Sequence, residues 1–65
     1  MKLELIGSNC TGGPCPTIYR TDENSFIMQG RVPRAILDQL ILGNDETAVE
    51  IPADLVEQLV AKLRP

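Results

Sequence analysis

Polar and apolar residues alternate from Lys2 to Ile6, placing Leu3 and Leu5 on one side, as in a short half-buried strand. The pattern stops at Gly7. From there to Pro16 the chain holds three Gly and two Pro among Ser, Asn and Thr, the make-up of a flexible loop. Thr17-Ile18-Tyr19-Arg20-Thr21 is rich in β-branched and aromatic residues and predicts a strand. Asp22-Glu23-Asn24 supplies turn chemistry, with Asn24 suited to a positive φ. Ser25 to Gln29 resumes strand character, so the two runs form a β-hairpin. Gly30, still in the strand pattern, marks a bulge or a close backbone approach.

Helical spacing begins at Pro33. Ile36, Leu37, Leu40 and Ile41 recur on one side, predicting a helix of two turns over Pro33 to Ile41 that Gly43-Asn44-Asp45 ends. Thr47 to Ile51 predicts a further strand. Pro52 opens a last helix with the apolar stripe Leu55, Val56, Leu59, Val60 and Leu63. Asp54 sits in its first turn and Lys62 and Arg64 at its far end, the arrangement that suits a helix dipole.

These elements predict an α+β fold. It is a small antiparallel or mixed β-sheet with a central hairpin, a short helix and a C-terminal amphipathic helix. Residues 1–65 form a single small domain, with 7–16 as a flexible Gly/Pro/Cys loop. The expected core is Leu3, Leu5, Ile18, Phe26, Met28, Ile36, Leu37, Leu40, Val49, Ile51, Leu55, Val56, Leu59 and Leu63. Small domains often supplement such a core by associating. A homodimer burying the helix stripe or a sheet edge is therefore one expected state, and a monomer the other.

Composition narrows the function. Apolar residues make 43% and charged residues 23%, so the chain has the make-up of a folded domain rather than a disordered one. Its apolar runs are too short to span a bilayer, and Met1 to Ile6 lacks the apolar region of a signal peptide, so the expected location is the cytoplasm. A net charge of −3 argues against indiscriminate nucleic-acid binding, although Arg20, Arg31 and Arg34 fall close together.

Catalytic chemistry is scarce. With no His, neither a Ser–His nor a Cys–His pair exists. The Gly-rich loop has no Lys and opens no helix, so it lacks the features of a phosphate-binding motif. The acid pairs Asp22/Glu23 and Asp45/Glu46 fall in turns, where water solvates them. No enzyme is expected, and no cofactor apart from a zinc alternative. Cys10 and Cys15 leave three readings: two free thiols in a reduced cytoplasm, which is favoured; a disulfide stapling the loop; or half of a zinc site needing further ligands. Tyr19 and Phe26 lie on facing hairpin strands, as a cross-strand pair or as an aromatic contact for a partner.

Cys15-Pro16-Thr17-Ile18-Tyr19-Arg20-Thr21-Asp22, then Phe26-Ile27-Met28-Gln29-Gly30, then Glu46-Thr47-Ala48-Val49-Glu50-Ile51-Pro52 form a pattern over residues 15–60. It resembles a group of very small actinobacterial proteins of unassigned function, similar in size and layout to the BldB-like developmental regulators. That resemblance implies a regulatory role beside a helix-turn-helix regulator and names no catalytic residue. A second stretch, Gly30-Arg31-Val32-Pro33-Arg34 with Ile36, then Leu40, Leu42, Asp45 and Val49-Glu50-Ile51, resembles the swapped-hairpin transcription factors of the AbrB and MazE type. It implies a dimer that binds DNA through Arg31 and Arg34.

The leading expectation is a small non-enzymatic intracellular interaction protein that acts through its hairpin on itself or on a protein partner. Tyr19, Arg20, Asp22, Phe26, Gln29 and Arg31 are the expected contact residues. The alternatives are a dimeric DNA-binding transcription factor or antitoxin using Arg31 and Arg34, and a zinc- or thiol-linked module using Cys10 and Cys15. No membrane partner is expected.

Overall fold

The computed structural model describes residues 1–10 and 15–64. Strands β1 (Leu3–Ser8), β2 (Thr17–Thr21) and β3 (Phe26–Gln29) form one antiparallel sheet in the order β1-β2-β3. A 3-10 helix (Arg34–Gln39) follows, and helix α1 (Ala53–Leu63) closes the fold. The small α+β class expected from the sequence is therefore present. The part of the expected 7–16 loop at residues 11–14 lies outside the described residues, while Gly7 and Ser8 belong to β1.

The hairpin forms where the sequence placed it. Asn24 adopts φ 62°, a left-handed conformation that Asn tolerates better than most residues. The Thr21 N–H donates to the Ser25 carbonyl at 2.9 Å, and the Glu23 N–H donates to Thr21 Oγ1 at 3.1 Å. These bonds close a three-residue loop with an αL residue at its end.

β1 carries a bulge that determines which side chains are buried. Leu5 pairs with Tyr19 and Gly7 with Ile18, so Ile6 is the extra residue. The bulge changes the alternation. Ile6 turns under α1, while Leu3 and Leu5 are left exposed. Gly7 lets the helix settle onto the strand. A Cβ there would stand 2.6 Å from Gln58 Oε1 and 3.2 Å from Leu55 Cδ1.

The buried core is small. Ile6, Ile18 and Leu55 are buried, with Ile51 and Leu59 packed around them. Much of the expected core is instead exposed: Leu3, Leu5, Phe26, Met28, Ile36, Leu40, Val56 and Leu63. The cause is geometric. Helix α1 lies across β1 and β2 and does not approach β3. One short helix covers only part of one sheet face, and no element among the described residues covers the other.

Two further expectations are corrected. Pro33 to Ile41 does not form an α-helix. Its central residues form a 3-10 helix with i→i+3 bonds, such as Ile36 N–H to the Pro33 carbonyl at 3.0 Å. The segment has no side-chain cap and buries no residue, so nothing holds it in the wider α geometry. Thr47 to Ile51 does not form a strand. It makes one antiparallel bridge, Glu50 to Arg31, in which the Glu50 N–H donates to the Arg31 carbonyl at 2.7 Å. The next pair in that register on one side, Pro33 with Ala48, contains a proline without an N–H, and on the other side Gln29 already pairs with Thr17 of β2, so the ladder stops after one step.

Candidate interaction surface

Strand register sorts the expected contact residues onto different faces. In β2, Ile18 and Arg20 point to the α1 side, and Tyr19 points to the opposite side. β3 pairs Arg20 with Phe26, Tyr19 with Ile27 and Ile18 with Met28. Tyr19 and Phe26 are therefore not cross-strand partners, because the three-residue loop shifts the register by one position. The partner of Phe26 is Arg20, whose guanidinium carbon stands 5.6 Å from the ring centroid in a cation–π contact. Tyr19 instead lies in an apolar row running Leu5, Tyr19, Ile27 across all three strands. Leu3 extends this patch one pair further along β1.

Two expected contact residues are engaged within the fold. Asp22 Oδ1 accepts from the Lys2 N–H at 3.1 Å, and the Asp22 N–H donates to the Lys2 carbonyl at 3.2 Å, tying the turn to the start of β1. Gln29 Nε2 donates to the Cys15 carbonyl at 3.2 Å, holding the loop beside β3. Arg31 and Arg34 lie past β3, where they line one groove of about 500 Å³ with Val32, Pro33, Ile36 and Glu50.

Cys10 and Cys15 are joined by a disulfide with Cα atoms 4.7 Å apart. This corrects the favoured expectation of two free thiols. The Asn9 N–H donates to the Pro16 carbonyl at 3.0 Å, closing the base of the loop and bringing the cysteines together. Asn9 also anchors the loop to α1, donating from Nδ2 to both Asp54 carboxylate oxygens at 3.0 and 3.2 Å. With the sulfurs joined, neither is a thiolate ligand for zinc. No cluster of three metal-binding side chains occurs among the described residues.

Every residue of β3 is exposed. Phe26 is 37% exposed, and Ile27 and Met28 are each 42% exposed. Its sequence, Phe-Ile-Met-Gln, contains no charge, proline or bulge to protect an edge. The other edge, β1, has both Glu4 and the bulge. On α1, Val56, Val60 and Leu63 form an exposed apolar flank on the side of the helix away from Gln58.

The whole chain reflects this incomplete cover. Its accessible surface is 5228 Å², whereas a folded monomer of 7.1 kDa is expected to expose about 4,100 Å². Its radius of gyration is 13.0 Å, against about 11 Å for a compact domain of this length. Ile27, Leu3 and Leu5 belong to this surface but were absent from the expected contact set. The alternation of β1 marks Leu3 and Leu5 as sharing a face, and the tertiary fold leaves that face uncovered. No helix among the described residues is long and apolar enough to cross a membrane. Comparison with protein-family models, curated proteins and solved structures finds no significant match.

Proposed function

We propose that this chain is a small non-enzymatic interaction and regulatory protein that works through protein–protein contacts made by its hairpin sheet. The observation carrying this reading is the surface that the chain leaves open, about 1,100 Å² beyond that of a compact monomer of its mass. The exposed apolar residues include three successive β3 residues, Phe26, Ile27 and Met28. Tyr19, Arg20, Phe26 and Arg31 are the contact residues from the expected set whose side chains make no hydrogen bond among the described residues. The resemblance to BldB-like regulators suggests a helix-turn-helix regulator as a partner.

Charge reversal at Arg20 or Arg31 should abolish capture of the partner from the cell's own extract without changing the far-UV circular dichroism. Capture retained by both folded variants overturns the reading. A cytoplasmic location belongs to this proposal, but the Cys10–Cys15 disulfide pulls against it because the cytoplasm keeps thiols reduced. Thiol labelling of protein quenched directly in cells decides between them. An intact link in every molecule argues for an oxidising compartment.

A second reading, a dimeric DNA-binding transcription factor or antitoxin, draws on the shared groove of Arg31 and Arg34. Glu50 in the same groove opposes phosphate and places this reading below the first. It requires DNA affinity that falls steeply with salt. Absence of any DNA shift at low salt removes it.

A further inference from the structure

We propose that the partner of the β3 edge is a second copy of this chain, docked antiparallel so that the two sheets join into one of six strands. This deepens the interaction-module reading and rests on it. The backbone groups of β3 point in two directions. The Thr21–Ser25 pair is hydrogen-bonded, and the register continues through Tyr19–Ile27 and Thr17–Gln29. Bonding groups alternate along an antiparallel strand, so Ile27 and Gln29 direct theirs to β2. Phe26 and Met28 direct theirs outward, where they meet no partner among the described residues.

A twofold axis through Ile27 satisfies all of these outward groups. Phe26 of each copy then stands opposite Met28 of the other, and each such pair exchanges two backbone hydrogen bonds. On the α1 side, the Phe26 ring meets a methionine sulfur, a favourable contact. On the opposite side, the two Ile27 residues meet at the axis and join the Leu5–Tyr19–Ile27 rows of both copies into one apolar stripe.

Charge selects the orientation. β3 itself is neutral, but Asp22 and Glu23 precede it and Arg31 follows it. Antiparallel pairing about Ile27 brings the end of β3 that follows the acidic Asp22-Glu23 turn in each copy beside the end that leads to Arg31 in the other. Parallel pairing would put like charges together. The β1 edge does not compete, because its bulge and Glu4 disfavour a flat partner strand.

Two experiments on the full chain test the pairing. In sedimentation equilibrium, the wild type should have twice the 7.1 kDa chain mass. Met28→Pro removes an N–H that points outward and leaves the β2–β3 ladder intact, so it should weaken the dimer at least tenfold. In the second experiment, Ile27→Cys places two thiols across the axis. The facing Cα atoms of such a pair are about 4.5 Å apart, within disulfide range. Mild oxidation should therefore yield a cross-linked dimer whose linking peptide contains position 27 from both chains.

A folded Met28→Pro variant that dimerises as tightly as wild type, together with no cross-link at position 27, overturns the proposal. So does a wild type that stays monomeric at high concentration or forms open-ended polymers. If the wild type is monomeric and Arg20- or Arg31-dependent capture persists, the self-pairing fails and the interaction-module reading stands. If capture is also insensitive to both charge reversals, the two fail together.

Discussion

Gly30→Ala should destabilise the protein by about 1–2 kcal/mol, even though Gly30 is only half-buried and lies beyond β3. A Cβ at this position would stand 2.6 Å from the Glu50 carbonyl oxygen and 3.1 Å from Ile51 Cδ1. The first neighbour is backbone and cannot rotate aside. The returning segment must move, which strains or breaks the 2.7 Å bond from the Glu50 N–H to the Arg31 carbonyl. Loss of such a bond costs about 0.5–1.5 kcal/mol, and forced overpacking costs about 1–3 kcal/mol. Against this, Ala restricts the unfolded chain and contributes about 0.4–1 kcal/mol of stability. The steric cost wins. Urea denaturation followed by far-UV circular dichroism reads the effect, with both proteins at one concentration because association shifts apparent stability. With an m-value of about 1 kcal/mol per molar urea for so short a chain, the midpoint should fall by about 1–2 M. Exchange of the Glu50 amide hydrogen should also accelerate. An unchanged or raised midpoint with a protected Glu50 amide would show that the segment does not approach Gly30 this closely.

Two other perturbations test the core and the loop. Leu55→Ala removes one of the three buried core residues among the described residues and should cost about 2–5 kcal/mol, which approaches the total stability of about 3–10 kcal/mol expected for a chain this short. Loss of the cooperative urea transition checks it, and a midpoint near that of wild type contradicts the assigned core. Reduction of the Cys10–Cys15 link, which closes a loop at sequence separation 5, should cost about 2 kcal/mol by the loop-entropy argument. A thermal melt with and without a phosphine reductant measures it, and no difference would mean that the Asn9–Pro16 and Asn9–Asp54 bonds hold the loop without the disulfide.

Local order was legible in the sequence wherever neighbours along the chain decide the conformation. The β2–β3 hairpin is specified by β-branched and aromatic runs around Asp22-Glu23-Asn24, and Asn24 takes the positive φ that its side chain tolerates. Helix α1 is specified by Pro52 at its N-cap, Asp54 in its first turn, Lys62 in its last and a continuous apolar stripe. Gly30 was marked for a bulge or a close approach, and the fold makes it an approach.

Tertiary structure alone decided which apolar residues are covered. Alternation identified Leu3 and Leu5 as sharing a face, but the bulge at Ile6 and the placement of α1 over β1 and β2 put that face in the open. The same placement left Phe26 and Met28 exposed on the side that α1 serves. Likewise, Thr47 to Ile51 has strand composition, but Pro33 at one neighbouring position and the pairing of Gln29 with β2 at the other limit it to one bridge. Hydrophobic periodicity records which residues favour burial. Whether each finds cover depends on contacts between segments distant in the chain, and here one helix is too small to cover a three-stranded sheet. What remains open is the β3 edge and the apolar row leading to it, the surface on which the proposed self-pairing rests.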